Sequence, residues 1–181
     1  MENGKRSDAL ENREALLISA KKAFAAYGPE ASLSKIAQNA GLSRSTLYRN
    51  FSDRGALILA VLERNIDKLE RQAEELADTE RPFAHLVKLV LDQQIEFESL
   101  ISFLDEKVAG HLEQRMIEVF EQPVRNAKAN KRLKSNFYTE DILLLTNMLG
   151  GALSASKPVK RRQQAQKALS FLFEGIFRKH E

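Results

Sequence analysis

Ser43, Arg44, Ser45, Thr46, Tyr48 and Arg49 crowd into one short segment with no acid among them. Hydroxyls donate or accept hydrogen bonds, arginine forks onto the O6 and N7 of guanine, and a tyrosine hydroxyl reaches a phosphate. Such a set suits a surface that enters a major groove. Other chemistries find little support. The absence of cysteine excludes thiolate zinc sites, iron–sulfur clusters, disulfide scaffolds and cysteine nucleophiles. His85, His111 and His180 share no metal-like spacing, and Glu106 and Glu113 flank His111 at offsets that do not converge on it. Gly150-Gly151 lacks the Lys-Ser/Thr of a phosphate-binding loop, and no serine, histidine and acid combine into a nucleophilic set. We therefore expect no enzyme, no metal site and no cofactor.

The elements that must carry the basic and hydroxyl residues are helical. Of 181 residues only 8 are Gly and 4 Pro, too few for a turn-rich β protein. No stretch alternates convincingly, whereas apolar residues recur at helical spacing. A first helix reads from about Leu10 to Tyr27, with Leu17, Ala20, Phe24 and Tyr27 on one face and Gly28-Pro29 as its stop. Two short helices follow, Leu33–Ala40 and Arg44–Asn50. Longer ones are expected at about Asp53–Leu76, Pro82–Ile101, Leu104–Glu121, Thr139–Ser156 and Lys160–Arg178, with a short one at Pro123–Ala129. The expected fold class is all-α: a small N-terminal three-helix head on a larger helical body. The longest apolar run, Ala56–Leu62, is far too short to span a membrane. The polar start MENGKRSDALENRE resembles neither a signal nor a transit peptide. A soluble, cytoplasmic protein is expected.

Charge is informative by distribution. The net charge is only +3, but residues 1–54 hold nine basic side chains against six acids, and of those acids Glu30 alone lies between Pro29 and Asn50. Two further basic clusters, Arg125–Lys134 and Lys157–Arg162, read as solvated connections. Within the head, Ile36, Ala37 and Ala40 form the inward face of one short helix, and Leu47 and Phe51 that of the next. Gly41 supplies the turn, Leu42 plugs it into the core, and Ser43 is suited to cap the second helix. Spacing alone leaves a plain helical hairpin open as the alternative.

The fuller pattern is more specific. Leu16-Leu17, Ala20, Phe24 and Tyr27-Gly28 are followed by Ile36-Ala37, Ala40-Gly41-Leu42-Ser43, Thr46-Leu47-Tyr48, Phe51, Arg54, Leu57 and Val61. Together they resemble the N-terminal domain of TetR/AcrR-type transcriptional regulators over about residues 10–70, with the helix-turn-helix at about 33–52. Asn50 stands where the family often has histidine, and Arg54 where lysine commonly opens the fourth helix. The resemblance implies a homodimer whose heads enter successive major grooves of a near-palindromic double-stranded operator. It implies base-edge roles for Ser43, Arg44, Ser45 and Thr46. Phosphate contacts would fall to Tyr48 and Arg49, helped by Ser34, Lys35 and Arg54, with Asn50 affecting their detail.

The remaining residues, 71–181, are expected to form a helical regulatory and dimerisation domain. The stripe Phe83, Leu86/Val87, Val90, Gln93/Gln94, Phe97, Leu100/Ile101, Leu104 faces a core interrupted by amides. Gln94, Phe97, Phe103, His111, Met116 and Phe120 are the candidate lining of a cavity for a small apolar or aromatic effector; ordinary core packing is the alternative for each aromatic. Residues 141–156 are apolar around much of the helix and carry Gly150-Gly151, which costs helix stability unless a second helix approaches closely. By resemblance, Leu145, Met148, Gly151, Ala152 and Ala155, with Leu169, Leu172, Phe173 and Ile176, form the dimer interface. Burial within one subunit is the alternative. The expected function is a dimeric DNA-binding regulator, a repressor released by its effector. An activator, an effector-free regulator and a helical protein-binding adaptor are the rivals.

Overall fold

The computed structural model describes residues 2–77 and 82–154, with 163, 164, 167, 168, 170 and 171 beyond them; at 2–6, 91–99 and 149–154 only the backbone is described. Seven helices form among the described residues: α1 (Glu2–Tyr27), α2 (Leu33–Asn39), α3 (Arg44–Asn50), α4 (Arg54–Leu76), α5 (Pro82–Ile101), α6 (Glu106–Ala129) and α7 (Asp141–Ser154). The all-α expectation holds. The chain divides into two units, one of residues 1–65 with 96–109, the other of 66–95 and the chain from Gly110 on.

In the first unit, α1, α2 and α3 pack on one another. Leu16, Leu17, Ala20 and Phe24 of α1 are buried at helical spacing, as are Ile36 and Ala37 of α2 and Leu47 of α3. Gly28 ends α1 in the left-handed region (φ 69°), its amide donating to the Phe24 carbonyl at 2.8 Å. The helix begins earlier than Leu10: residues 2–9 carry no large apolar side chain, so they extend a helix already nucleated without leaving an apolar stripe to read.

The second unit is organised around aromatic rings. Phe83 meets Phe120 and Phe137 edge-to-face, at centroid separations of 6.2 and 5.6 Å. Leu69, Leu86, Val87, Val90, Val124, Leu133, Ile142 and Leu145 surround them. Pro82 is the first residue of α5, where its missing N–H costs nothing. Pro123 departs from expectation: instead of separating two helices it lies inside α6. Its ring nitrogen cannot donate to the Val119 carbonyl, a loss of about 3 kcal/mol in an exposed helix. Here Pro123 and Val124 are buried, and packing overrides the break. The expected helix Lys160–Arg178 lies for the most part outside the described residues.

Candidate nucleic-acid interface

The site is built by two caps and one turn. Ser32 caps α2, its Oγ accepting the Lys35 amide at 3.3 Å. After α2 the chain reverses at Gly41 (φ 72°), and the Leu42 amide returns to the Ala37 carbonyl at 3.0 Å. Gly41 is exposed with open space where a Cβ would sit, so the backbone angle alone asks for glycine. Ser43 then caps α3: its Oγ accepts the Thr46 amide at 3.1 Å, as its position implies. Leu47 is fully buried, and Ser19 braces the unit from α1 by donating to the Ile36 carbonyl at 2.8 Å.

Burying Leu47 turns the rest of α3 outward. Ser43, Arg44, Ser45, Tyr48 and Arg49 are exposed and Thr46 half-buried. Their polar atoms already engage one another. Ser43 Oγ lies 2.8 Å from Ser45 Oγ and 2.9 Å from Thr46 Oγ1. Arg49 donates to Thr46 Oγ1 at 3.1 Å. Arg44 donates to the Tyr48 hydroxyl at 3.3 Å, its guanidinium 5.5 Å from the ring centroid. A ligand that replaces these exposed, mutually satisfied bonds meets hydroxyls and guanidiniums already gathered on the cap and first two turns of α3. On α2, Ser34 and Lys35 are exposed beside the helix start, with Lys35 Nζ donating to Gln38. Two residues point elsewhere. Asn50 folds back on its own helix, its Nδ2 donating to the Thr46 carbonyl at 2.9 Å. Arg54 donates to the carbonyls of Pro29 and Ala31.

Asp53 caps the next helix, accepting the Ala56 amide at 2.8 Å. That bond, with the Ser52 hydroxyl, holds its carboxyl below the usual carboxylate range. Sequence reasoning passed over Arg13. Its guanidinium lies 4.5 Å from the Phe51 ring centroid and donates to the Asn50 carbonyl at 3.2 Å. The signal was available: Arg13 precedes Leu16, Leu17 and Ala20 on the inward face of α1, where a cation needs a partner.

Four of the six residues proposed for an effector site have described side chains, and their exposure differs. Phe103 and His111 are exposed, Met116 is half-buried and Phe120 is fully buried against Phe83. The side chains of Gln94 and Phe97 lie outside the described residues. The second unit does have a groove of about 380 Å³, lined by Glu70, Ala73, Glu118, Val119, Pro123 and neighbours, and none of Phe103, His111, Met116 and Phe120 lines it. Of the proposed dimer residues, Leu145 is buried in the aromatic cluster and Met148 is exposed. The surroundings of Gly151, the side chain of Ala152, and residues Ala155, Leu169, Leu172, Phe173 and Ile176 lie outside what is described. Among the described residues no cluster of three or more metal-binding side chains occurs, and no helix is long and apolar enough to cross a membrane.

With this geometry in view, comparison with known proteins is specific. Residues 16–61 match the family model described as bacterial regulatory proteins, tetR family. An HTH-type transcriptional regulator of Staphylococcus aureus (strain bovine RF122 / ET3-1) is 32% identical over 93 residues, covering 51% of this chain and 50% of that protein. The chain thus spans about half the length of the curated relatives it matches. A TetR transcriptional regulator of Streptomyces coelicolor shares the fold with a TM-score of 0.74 at 22% identity, covering 93% of this chain and 99% of the other. NalD of Pseudomonas aeruginosa, described as the secondary repressor of the MexAB-OprM multidrug efflux pump, aligns with a TM-score of 0.61 at 22% identity, covering 96% and 100%. The matched segment contains both caps, the Gly41 turn and the outward face of α3, and it is this part of the chain that is similar to the tetR family of bacterial regulatory proteins.

Proposed function

We propose that this chain is a cytoplasmic, homodimeric DNA-binding transcriptional regulator, a repressor released from a near-palindromic operator by a small-molecule effector. The observation that carries the reading is the outward face of α3, where exposed Arg44, Ser45, Tyr48 and Arg49 surround the Ser43 cap without an acid. Ser43, Arg44, Ser45 and Thr46 read base edges in the major groove. Tyr48, Arg49, Ser34 and Lys35 hold phosphates, the last two beside the start of α2. Residues 10–70 act as the DNA-binding domain and 71–181 as the regulatory and dimerisation domain. Leu144 and Met148 lie one turn apart on α7 and are both more than half exposed, which favours a partner helix there. The repressor assignment draws support from NalD, described as one. The groove of the second unit has the size of a small-molecule site and a largely apolar wall, consistent with an organic effector.

Selection of bound sequences from random duplex DNA tests the reading and defines the operator. On that operator, Arg49→Ala should weaken all sequences alike and lower the salt slope by about one unit, because one phosphate contact is lost. Arg44→Ala should instead relax base preference, at about 1–3 kcal/mol for the lost contact. Failure to enrich any sequence, or binding insensitive to salt, would favour a protein-binding adaptor.

A further inference from the structure

Two arginines of the first unit make contacts that the DNA-binding reading does not use. Arg54 is the first residue of α4, where the positive end of the helix dipole disfavours a cation. Its guanidinium turns instead to the carbonyls of Pro29 and Ala31, the latter at 2.6 Å. Both belong to the short link between α1 and α2 that leads into the Ser32 cap. Arg13, on α1, meets the opposite end of the segment. It donates to the carbonyl of Asn50, the last residue of α3, and covers the Phe51 ring. Carbonyls at a helix C-terminus lack intrahelical partners and attract cations, so this contact is electrostatically favoured. Both arginines are half-buried, and their bonds cross 37 residues for Arg13 and 23–25 for Arg54.

We propose that Arg13 and Arg54 are positioning residues that hold the two ends of the α2–turn–α3 segment against α1 and α4, and that Arg54 serves DNA binding through this brace rather than as a phosphate contact. A guanidinium suits the task because Arg54 meets both carbonyls from one Nη whose two N–H groups are fixed in a rigid plane, and the face of Arg13 stacks on an aromatic ring; an ammonium on a flexible stem reproduces neither geometry equally. The brace sets the spacing between Ser34 and Lys35 at one end and the reading face of α3 at the other. Specific binding needs that spacing, whereas non-specific binding depends on the number of available charges.

The inference rests on the DNA-binding reading, and its test separates the two. Parent, Arg54→Lys, Arg13→Lys and Arg54→Ala full-length chains are titrated with the selected operator duplex and with a scrambled duplex over a range of salt, after circular dichroism has confirmed helix content. The lysine variants keep the charge and lose the guanidinium plane. They should bind the operator about tenfold more weakly, the scrambled duplex as before, with the parent salt slope. Amide exchange across residues 33–50 should also quicken in both lysine variants, a readout that stands even if the parent selects no DNA. The proposal is overturned if Arg54→Lys matches the parent while Arg54→Ala lowers the slope by about one unit, since that is the behaviour of a phosphate contact. It is equally overturned if exchange over 33–50 is unchanged in the lysine variants.

Discussion

The segment from Ser32 to Phe51 and the aromatic cluster of the second unit are organised on different scales. In the first, the caps and the turn are each made by a residue within a few positions: Ser32 and Ser43 cap helices by bonding amides three residues on, and Gly41 turns the chain. In the second, Leu69, Phe83, Phe120, Phe137 and Leu145 come together from helices and a loop far apart in sequence. A site made by local rules can be recognised from a short motif. A core made by distant contacts tolerates many sequences of the right volume and announces itself weakly.

Truncation at the centre of the distant cluster should have the largest effect. Phe120 is fully buried with its ring edge-on to Phe83, so Phe120→Ala should cost about 3–5 kcal/mol, read from the urea midpoint at constant m-value. A loss below about 1 kcal/mol would remove the aromatic cluster as the organising core and with it the contrast between the two regions.

The local segment should respond to backbone geometry rather than volume. Gly41 has φ 72° and no atom within reach of an added Cβ, so Gly41→Ala should cost about 1–2 kcal/mol through left-handed strain alone. Gly41→Asn should recover part of that loss. Equal stability of all three proteins would mean that the turn can relax, and that the glycine is not what joins α2 to α3.

The smallest effect concerns the cap of α4. The Ala56 amide and the Ser52 hydroxyl hold the Asp53 carboxyl below its ordinary value, so the folded state binds a proton less readily than the unfolded chain. Its stabilisation is therefore fully present above the unfolded value and is lost as pH falls through the lower, folded one. The Tm of Asp53→Ala should lie below that of the parent at neutral pH, and the gap should narrow as the pH falls through the acid range. A gap that stays constant over the acid range would show that the bond to Ala56 does not depend on the charge.

Legibility followed the same division. The boundaries of α3 and α5, the turn at Gly41 and the Ser43 cap were readable because each depends on neighbours in the chain. The beginning of α1 was not, since residues 2–9 hold no large apolar side chain and so offer no stripe to read. Pro123 misled for a related reason: proline is a helix breaker in local terms, but burial of Pro123 and Val124 keeps α6 continuous. Phe103 and Phe120 looked equivalent as aromatic candidates, yet one is 42% exposed and the other fully buried.

By itself the sequence determined the all-helical class, the helix-turn-helix and the acid-free face of α3, because period, caps and turn chemistry are encoded within a few residues. Tertiary structure decided which charged groups remain available on that face. Arg49 and Arg54 are both arginines of the basic head, but Arg49 stays exposed on α3 while Arg54 turns to carbonyls 23 and 25 residues earlier. A guanidinium goes where unpaired acceptors are, and backbone carbonyls are present at every residue, so only the folded path of the chain shows which of them it meets.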